Sequence, residues 1–526
     1  MNNFSIFQKK IYYYIVCLLF YIIPTFINAE NNKQNTLKTY RGILRVESKV
    51  SAGLKNFDEI VSEARAHSLD FIIISDQLIV KVEYGLPPFR NIFKLYKTRP
   101  SIISYGVEKY LMELNAVDEK YNDILVFPGA DVAPYYFWEG FPLPGKLKCN
   151  QYSQQLTIFG SDSPEFYKKI PIIHNEYFEL SLKNILKLWP LLIIIWGGYM
   201  IKFSHLGVEA DYLTNKSIPR RRKITGISLC VIASLWLLNN KPFFNSYTYN
   251  QYSNDGLKPY QQLADYIKKH PDADKIAAFW SAPGITMENN ISGVKLVTNP
   301  YWHDIRNIDN FDGFAGVYGD ALNAYLPGME WDRMLISYLN GERTLIPFIV
   351  GEIDYHQKKR RIDNIQTIVF AKEFSKSSIL QALKNGHSYG YFQYGNFMLN
   401  VDNASISDNG QKYIPGDTLQ IRDNEINLNI SGTVKWSCVS GNSDNSDISS
   451  FNNLKKQNIR LPKINVTIIC NGKIVEEKII RQKTFDLKIP IKLPNDRKNG
   501  YIRFYMQSPN AGLIVSNPIF YKKNNR

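Results

Sequence analysis

Short apolar runs alternate with amphipathic segments in the first part of the chain and again after residue 255. The apolar runs predict strands over 43–46, 71–75, 124–127, 156–159, 275–279 and 294–297. Apolar residues at helical spacing predict helices near 57–64, 105–115, 260–269 and 331–340. Because strands that alternate with helices are typical of parallel βαβ units, we expect one α/β domain made of two segments, 31–182 and 255–397.

The pattern changes near residue 398, where Asn- and Asp-rich turns begin to separate short β-rich runs. The predicted strands there cover 419–421, 426–430, 464–470, 485–491 and 502–507. Several short strands separated by turn residues are typical of an all-β unit. The sequence therefore predicts a β-sandwich over 398–526.

The N-terminal segment resembles an export signal. Lys9 and Lys10 precede an apolar run over 11–27, and Asn28-Ala29-Glu30 follows it. A basic start, an apolar centre and a small residue are the parts of a signal peptide. Ile27 fits a cleavage site poorly, so residues 1–29 are either a cleaved signal peptide or an N-terminal anchor.

Two later apolar runs, 188–201 and 224–238, are flanked by lysines. Each is shorter than the ~20 residues that span a bilayer, but lysine side chains can extend a span by reaching the interface. The sequence predicts a transmembrane hairpin over 185–240, and a pair of buried core helices is the alternative.

The segment that joins these runs is basic. It carries six cations against Glu209 and Asp211: Lys202, Lys216, Arg220, Arg221, Arg222 and Lys223. Short basic loops stay in the cytoplasm. Both flanks would then lie in the periplasm or another extracytoplasmic space, in agreement with the export signal.

The chain has 526 residues and a net charge of +15, from 63 Lys and Arg against 48 Asp and Glu. The one dense basic cluster, residues 220–223, belongs to the predicted hairpin, so we expect a membrane partner and no nucleic acid. The five cysteines lack zinc-binding spacing. The sequence allows a disulfide between Cys438 and Cys470 and does not decide whether it forms.

The candidate chemistry begins at Arg45-Val-Glu47-Ser-Lys-Val-Ser51-Ala-Gly53. Alternation along a strand points residues 45 and 47 the same way. A helix follows, and then a buried strand that ends in Asp76-Gln77. This order resembles the start of the PHP (polymerase and histidinol phosphatase) family, which has His-x-His, Ser-Asp-Gly and Thr-Asp-His at these places.

The resemblance extends along most of the chain outside the hairpin. The motifs that carry it are Val126-Phe-Pro-Gly-Ala-Asp131, Gln155-Leu-Thr-Ile-Phe-Gly160, Thr298-Asn299-Pro300, Phe311-Asp-Gly-Phe-Ala315 and Gly351-Glu-Ile-Asp354-Tyr-His356. Two further segments, 83–89 and 134–140, resemble a membrane-anchored PHP subgroup. The resemblance implies a distorted (β/α)7 barrel, interrupted here by the hairpin.

Members of the family hold two or three metal ions at the mouth of the barrel. In this chain the resemblance leaves Asp76, Asp131, Asp354 and His356 as residual metal ligands. The other ligand positions are degenerate; they carry Arg45, Glu47, Gln77, Gln155, Asn299 and Ala315. Arginine cannot lose its charge, and amides bind transition metals poorly, so we expect no cofactor. One divalent ion (Mg, Mn or Ca) on the carboxylates is the alternative.

Arg45 is expected to replace the metal as the cation that organises the site. Converging carboxylates repel one another unless a cation lies among them. We therefore expect Arg45 to contact at least one of Glu47, Asp76, Asp131 or Asp354. An ordinary solvent-facing pair of Arg45 and Glu47 is the alternative.

Three functions fit these features. The first is a membrane-anchored, exported PHP-like protein without catalysis, which binds an envelope ligand or protein as a binding or scaffold module. The second is a weak metal-dependent hydrolase, a phosphoesterase that uses the residual site. The third is a structural envelope protein that acts through its β-sandwich. Fold alone does not name a substrate.

Overall fold

The computed structural model describes residues 37–142, 146–204, 217–245, 249–291, 293–319, 323–356, 361–408, 411–422, 424–436, 460–494 and 497–523. The predicted signal segment and Cys438 lie outside the described residues. The possible pairing of Cys438 with Cys470 therefore stays a prediction; Cys470 is buried.

The first segment contains eight described strands and four helices up to residue 168. They are β1 (Lys38–Val46), α1 (Phe57–Ala66), β2 (Phe71–Gln77), β3 (Val80–Gly85), β4 (Lys94–Arg99), α2 (Ile102–Tyr105), α3 (Val107–Lys120), β5 (Leu125–Val132), β6 (Phe137–Gly140), β7 (Leu147–Asn150), β8 (Leu156–Phe159) and α4 (Pro164–Lys168).

The middle of the chain carries the apolar helices and then returns to α/β structure. Its elements are β9 (Tyr177–Phe178), α5 (Leu182–Leu186), α6 (Pro190–Lys202), α7 (Ser217–Asn240), β10 (Phe244–Asn245), α8 (Lys258–Lys269), β11 (Ala277–Trp280), β12 (Met287–Ile291), β13 (Val294–Thr298), α9 (Trp302–Asn307), β14 (Gly313–Val317), α10 (Glu330–Leu339), β15 (Phe348–Gly351), β16 (Ile365–Ala371), α11 (Lys376–Lys384) and β17 (Ser388–Phe392).

The C-terminal region is all β. Its strands are β18 (Phe397–Asp408), β19 (Gln411–Tyr413), β20 (Thr418–Ile421), β21 (Glu425–Trp436), β22 (Ile464–Cys470), β23 (Lys473–Ile480), β24 (Thr484–Lys492), β25 (Asn499–Ser508), β26 (Gly512–Ser516) and β27 (Ile519–Lys523).

Local sequence explains the first helix well. Asn56 accepts a hydrogen bond from the Glu59 backbone N–H, and the Glu59 carboxylate accepts one from the Asn56 backbone N–H. This reciprocal cap fixes the start of α1. The apolar positions are buried; they are Phe57, Ile60, Val61 and Ala64. The predicted helix near 57–64 is therefore present, with its apolar face against the core.

One large sheet runs through both segments of the α/β region. Its strands lie in the order β15-β14-β11-β8-β5-β2-β1-β16-β17 and continue into the C-terminal region as β26-β25-β22-β23. Strands β1, β2 and β5 are parallel, and so are β11, β14 and β15. Segments far apart in sequence thus share one sheet, as the alternating pattern predicts.

The prediction of uniformly parallel units is wrong at β8, which pairs antiparallel with both β5 and β11. Strand β13, predicted as a further unit of the α/β domain, instead joins a small sheet in the order β12-β13-β7-β6. The β3–β4 hairpin is an addition that the pattern did not predict. Gly106, with a φ of 100°, divides the predicted 105–115 helix into α2 and α3.

Two described helical segments are long and apolar enough to cross a membrane, namely Leu182–Lys202 and Arg220–Asn240. Only 17% and 11% of their apolar windows are buried, which disfavours the alternative of core helices. The basic residues 220–223 lie within α7, which begins at Ser217, so the predicted basic loop is shorter than the sequence suggests.

The apolar helices α6 and α7 approach closely at glycine. A Cβ atom on Gly197 would lie 2.8 Å from the Gly226 carbonyl oxygen and 2.7 Å from the Cys230 sulfur. Small residues allow two helix backbones to approach this closely. Trp189, just before the start of α6, packs against Trp236, near the end of α7.

Two sheets share the hydrophobic core of the C-terminal region. One has the order β19-β18-β21-β24, and the other continues the large sheet through β26, β25 and β22. Apolar residues from both enter one cluster, including Val401, Ile430, Val466 and Ile514. A buried ion pair also ties this region to α10, since Arg503 donates to both carboxylate oxygens of Asp332 at 2.7 Å.

Candidate functional site

The site is centred on Arg45, near the end of β1. The register between β1 and β2 shifts between Ile43 and Val46, and Arg45 has a φ of 64°. Asp354, which lies 3.5 Å from the Arg45 guanidinium, has a φ of 51°. Positive φ costs a non-glycine residue roughly 1–3 kcal/mol and clusters at functional sites. A strained backbone conformation therefore determines the direction of both contacting side chains, Arg45 and Asp354.

Arg45 donates hydrogen bonds to three different side chains. Its Nε lies 2.6 Å from Asp131 Oδ2, its Nη1 lies 2.9 Å from Glu352 Oε1, and its Nη2 lies 2.7 Å from Gln155 Oε1. The arginine side chain is only 11% exposed. The expected contact between Arg45 and the carboxylates is confirmed, and the solvent-facing alternative is not observed.

Two amides continue this network toward Glu47. Gln155 Nε2 donates to Gln77 Oε1 at 3.0 Å, and Gln77 Nε2 donates to Glu47 Oε1 at 3.0 Å. Each amide therefore accepts on one side and donates on the other. Four of the predicted degenerate positions form one chain of hydrogen bonds from the guanidinium to a carboxylate.

Burial dominates the charge state of the acids around Arg45. It raises the pKa of Asp131 to about 6 and that of Glu352 to about 7, although Arg45 lowers both. Burial also raises the pKa of Glu47. For Arg45 itself, burial lowers the pKa, but Asp354, Asp131 and Glu352 outweigh it and the net direction is upward. One cation thus serves more carboxylates than it can neutralise.

Asp76 faces a turn and not the centre of the site. Its Oδ1 accepts from the Ser48 backbone N–H at 2.8 Å and from Ser51 Oγ at 2.5 Å, and its Oδ2 accepts from Ser48 Oγ at 2.7 Å. A Cβ atom on Gly53 would lie 2.1 Å from the Glu47 carbonyl oxygen, so this turn folds tightly onto β1. The carboxylate of Asp76 holds that turn in place.

Asp354 and His356 line the cavity, and each side chain is 31% exposed. His356 Nδ1 lies 3.0 Å from the Asp354 carbonyl oxygen and 3.5 Å from its Oδ1. The interaction with the Asp354 side chain raises the pKa of His356. A titratable imidazole therefore stands beside the acids, and its contact with Asp354 favours the protonated form.

Two degenerate positions lie outside this network. Asn299 is exposed directly after β13, a strand of the small sheet. Ala315 is buried in β14. In the large sheet, β14 pairs with β11. Ser281 follows β11, and its Oγ lies 2.8 Å from Thr157 Oγ1. Thr157 also donates to Asp131 at 2.6 Å.

The residual residues fit a metal ion poorly. Asp76 already accepts three hydrogen bonds from the turn, and both oxygens of Asp131 accept from Thr157 and Arg45. Within the described ranges, no group of three or more His, Cys, Asp or Glu side chains is arranged to hold a metal. The guanidinium, with its permanent charge, lies where the acids converge.

A cavity of about 1030 Å³ opens above the network. The β3–β4 hairpin and the small sheet form its walls. Apolar and aromatic side chains dominate them, including Val82, Tyr84, Tyr136, Trp138, Leu147, Tyr152 and Leu296. The charged residues Lys81, Lys97 and Arg99 of the hairpin line it as well. A largely apolar cavity with a few polar groups is typical of a binding site for a small molecule.

Sequence reasoning missed Glu352, Thr157 and Ser48. Glu352 lies two residues before Asp354, so strand alternation was a signal that could have placed both on one side. The roles of Thr157 and Ser48 depend on strands and turns that are distant in sequence, and neither residue stands at a ligand position of its motif.

No protein-family model matches the sequence, and no curated protein matches it. Among solved structures, one similar chain is a two-domain protein from Bacteroides vulgatus containing a predicted PHP-like metal-dependent phosphoesterase. Its identity is 12% and its TM-score 0.33, covering 92% of this chain and 96% of that chain. Another is a protein assigned as a metal-dependent phosphoesterase from Bifidobacterium adolescentis. Its identity is 11% and its TM-score 0.25, covering 61% of this chain and 88% of that chain. Scores of this size carry no conclusion about chemistry.

Proposed function

We propose that this chain is a membrane-anchored, exported, PHP-like protein that binds a ligand in its cavity and has no metal-dependent catalysis. The observation that carries the proposal is the position of Arg45, which contacts Asp131, Glu352 and Asp354. A dication placed there would lie against a charge that cannot be removed.

A closed, distorted barrel is part of this proposal. The residues after β15 return to β1, because Ile353 N–H donates to Leu44 O and Tyr355 N–H donates to Arg45 O. Glu47 N–H then donates to Tyr355 O at 2.9 Å. These backbone bonds support a ring of seven strands (β1, β2, β5, β8, β11, β14 and β15) with the site at its mouth.

Membrane anchorage by α6 and α7 is the second part. The two 21-residue segments would each reach roughly 30 Å as helix, close to the thickness of a bilayer core. With residues 220–223 in the cytoplasm, the α/β region and the C-terminal region both lie outside it. Cysteine labelling tests this. A cysteine at position 210 should be protected in intact cells and one at Lys412 labelled; the reverse pattern would contradict the topology.

Metal analysis of the purified full-length protein tests the lack of catalysis. The wild type should contain no stoichiometric zinc, iron, manganese or magnesium and should not hydrolyse a generic phosphomonoester. Bound metal that is lost in Asp354→Ala would favour the weak hydrolase instead. Loss of cellular function on deleting residues 398–526, with Arg45 and Glu47 variants neutral, would favour the structural protein.

A further inference from the structure

The cavity extends outward from the Arg45 network along the β3–β4 hairpin. Val80, Val82 and Tyr84 of β3 and Leu95 and Tyr96 of β4 all line it, together with the cations Lys81, Lys97 and Arg99. Six strand residues extend roughly 17–20 Å. The apolar side chains of this wall therefore extend far enough to accommodate an alkyl chain. The cavity, at about 1030 Å³, is also larger than a small polar molecule needs.

The tip of the same hairpin contacts the end of α7. The Asn91 backbone N–H donates to Asn239 Oδ1 at 2.9 Å, and Asn91 Nδ2 donates to the Asn239 carbonyl at 2.7 Å. Asn239 is the penultimate residue of the candidate span that ends at Asn240. One wall of the cavity thus runs from the polar network to the point where α7 would leave the bilayer.

Large apolar side chains are exposed at this outer end. Phe93 is 51% exposed, Leu95 is 70% exposed and Tyr96 is 63% exposed. Exposed apolar residues that adjoin a membrane span are the kind that enter the lipid interface. The mouth of the cavity is therefore suited to contact lipid.

The inner end has the opposite character. Glu47, Gln77, Asp354 and His356 line the cavity there, and the described donors of Arg45 are engaged by its protein partners. Around Arg45, four carboxylates outnumber the guanidinium and His356; they are Glu47, Asp131, Glu352 and Asp354. The other cations that line the cavity belong to the hairpin; they are Lys81, Lys97 and Arg99. The inner end therefore offers hydrogen-bond acceptors and negative charge, which attract hydroxyl or ammonium groups and repel a phosphate.

We propose that the cavity takes an amphiphile from the membrane, with a non-anionic, hydrogen-bond-donating head against Glu47 and Asp354 and an alkyl chain along the β3–β4 hairpin. This inference rests on the membrane anchorage proposed above and adds the ligand class to it. Hydroxyl-bearing and ammonium-bearing heads share the required chemistry, and the concentration at which each one competes shows which of them the site prefers.

Photolabelling of the full-length protein in phosphatidylcholine nanodiscs tests the proposal. The probe is a dodecyl glucoside with a diazirine at the end of its chain, and mass spectrometry maps the labelled peptides. We expect label on residues 80–99 as well as on the apolar helices. Unlabelled dodecyl glucoside or dodecylamine should compete for the hairpin label, whichever of the two heads the site prefers, and dodecyl phosphate should not.

A pair of hairpin variants provides the control. Val82 lines the cavity and Thr98 does not. Val82→Glu should reduce the hairpin label about tenfold, since it removes apolar contact and adds a charge. Thr98→Glu introduces the same side chain on the same hairpin and should leave the label unchanged.

Two results would overturn the inference: label confined to the apolar helices, or competition by dodecyl phosphate equal to that of the glucoside and the amine. The metal content of the same preparation keeps the two proposals apart. A metal-free protein without hairpin label would contradict the ligand class and leave the lack of catalysis standing. A metal-loaded protein would contradict the lack of catalysis whatever the label.

Discussion

Arg45 is a buried cation among acids whose combined charge exceeds its own. It bonds Asp131 and Glu352 directly, and each of these carboxylates is at most 3% exposed. Removing one partner of a buried ion pair leaves the remaining charges uncompensated. The stability of the site therefore depends on this single side chain more than on any surface ion pair.

Arg45→Ala should lower the free energy of unfolding by about 3–5 kcal/mol, because Asp131 and Glu352 lose their cation. Urea unfolding in detergent measures it. Arg65→Ala is the matched control, because Arg65 bonds Asp123 at 2.7 Å with a side chain that is 38% exposed. Its loss should stay below about 1 kcal/mol. Equal, small losses at both positions would contradict the organising role of Arg45.

The raised pKa of Glu352 makes stability depend on pH. The value rises from 4.5 to about 7 in the fold, so the folded protein holds this proton more tightly than the unfolded chain. The stabilisation is fully present below about pH 4.5 and is lost as the pH rises to about 7; its size is about 3 kcal/mol.

Glu352→Gln should remove this part of the pH dependence. Relative to the wild type, the variant should gain about 3 kcal/mol between pH 4.5 and pH 7. Unfolding curves at several pH values measure the difference in the free energy of unfolding between the variant and the wild type. Other titrating groups, such as His174, contribute equally to both proteins and cancel. A difference that is constant over this range would show that Glu352 titrates normally.

At the scale of elements, the close approach of α6 and α7 depends on glycine. Gly197 lies against Gly226 and Cys230, whereas a Cβ atom on the adjacent Gly198 would meet nothing within 4 Å. One glycine is therefore part of the helix contact and its neighbour is not.

Gly197→Leu should separate the helices, because its side chain would collide with the backbone of α7. We expect a lower melting temperature in detergent and faster trypsin cleavage after Lys202 and Lys216. Gly198→Leu makes the same chemical change and should leave both quantities near the wild type. Equal effects of the two substitutions would mean that added volume, and not the helix contact, is responsible.

Local patterns predict an element well when its own residues determine it. The helix α1 follows from its cap at Asn56 and its apolar spacing, and β2 follows from a continuous apolar run. Strand direction is not a local property, which is why the antiparallel β8 was not predicted. The β4 strand, Lys94–Arg99, is largely exposed and polar, so apolar runs gave no sign of the hairpin.

The candidate site was predictable to a similar degree. The position of Arg45 among carboxylates follows from its motif. Glu352 is a partner of Arg45 although the two are 307 residues apart in sequence. Their contact depends on the return of the chain to β1. Motif order could not predict that Asn299 follows a strand of the small sheet, because that sheet pairs strands from distant parts of the chain.

At the scale of the molecule, the α/β region and the C-terminal region share one sheet and one buried ion pair. Strand β17 pairs with β26, and the side chains of Asp332 and Arg503 are both fully buried. Tyr501 also donates to Asp332 at 2.7 Å. These contacts favour cooperative unfolding of the two regions.

Arg503→Ala should lower stability by about 3–5 kcal/mol, because it leaves Asp332 buried without its cation. Calorimetry should also show the single transition of the wild type splitting in two. Arg333→Ala is the control on α10, the helix that carries Asp332, since Arg333 is 55% exposed in its pair with Glu330. A wild type that already unfolds in two steps would contradict the coupling of the regions.

The pairing of β1 with β16 also determines when the molecule can be completed. Arg41 bonds Gln366 across this pair, and the two residues are 325 positions apart. At roughly 5–20 residues per second, the ribosome needs roughly 16–65 s to synthesise that interval. During this time the first strand has one edge without its native neighbour, and the two apolar helices must emerge before the neighbour exists. The ribosome thus completes β1 and the first half of the protein well before it makes β16, the strand that pairs with β1.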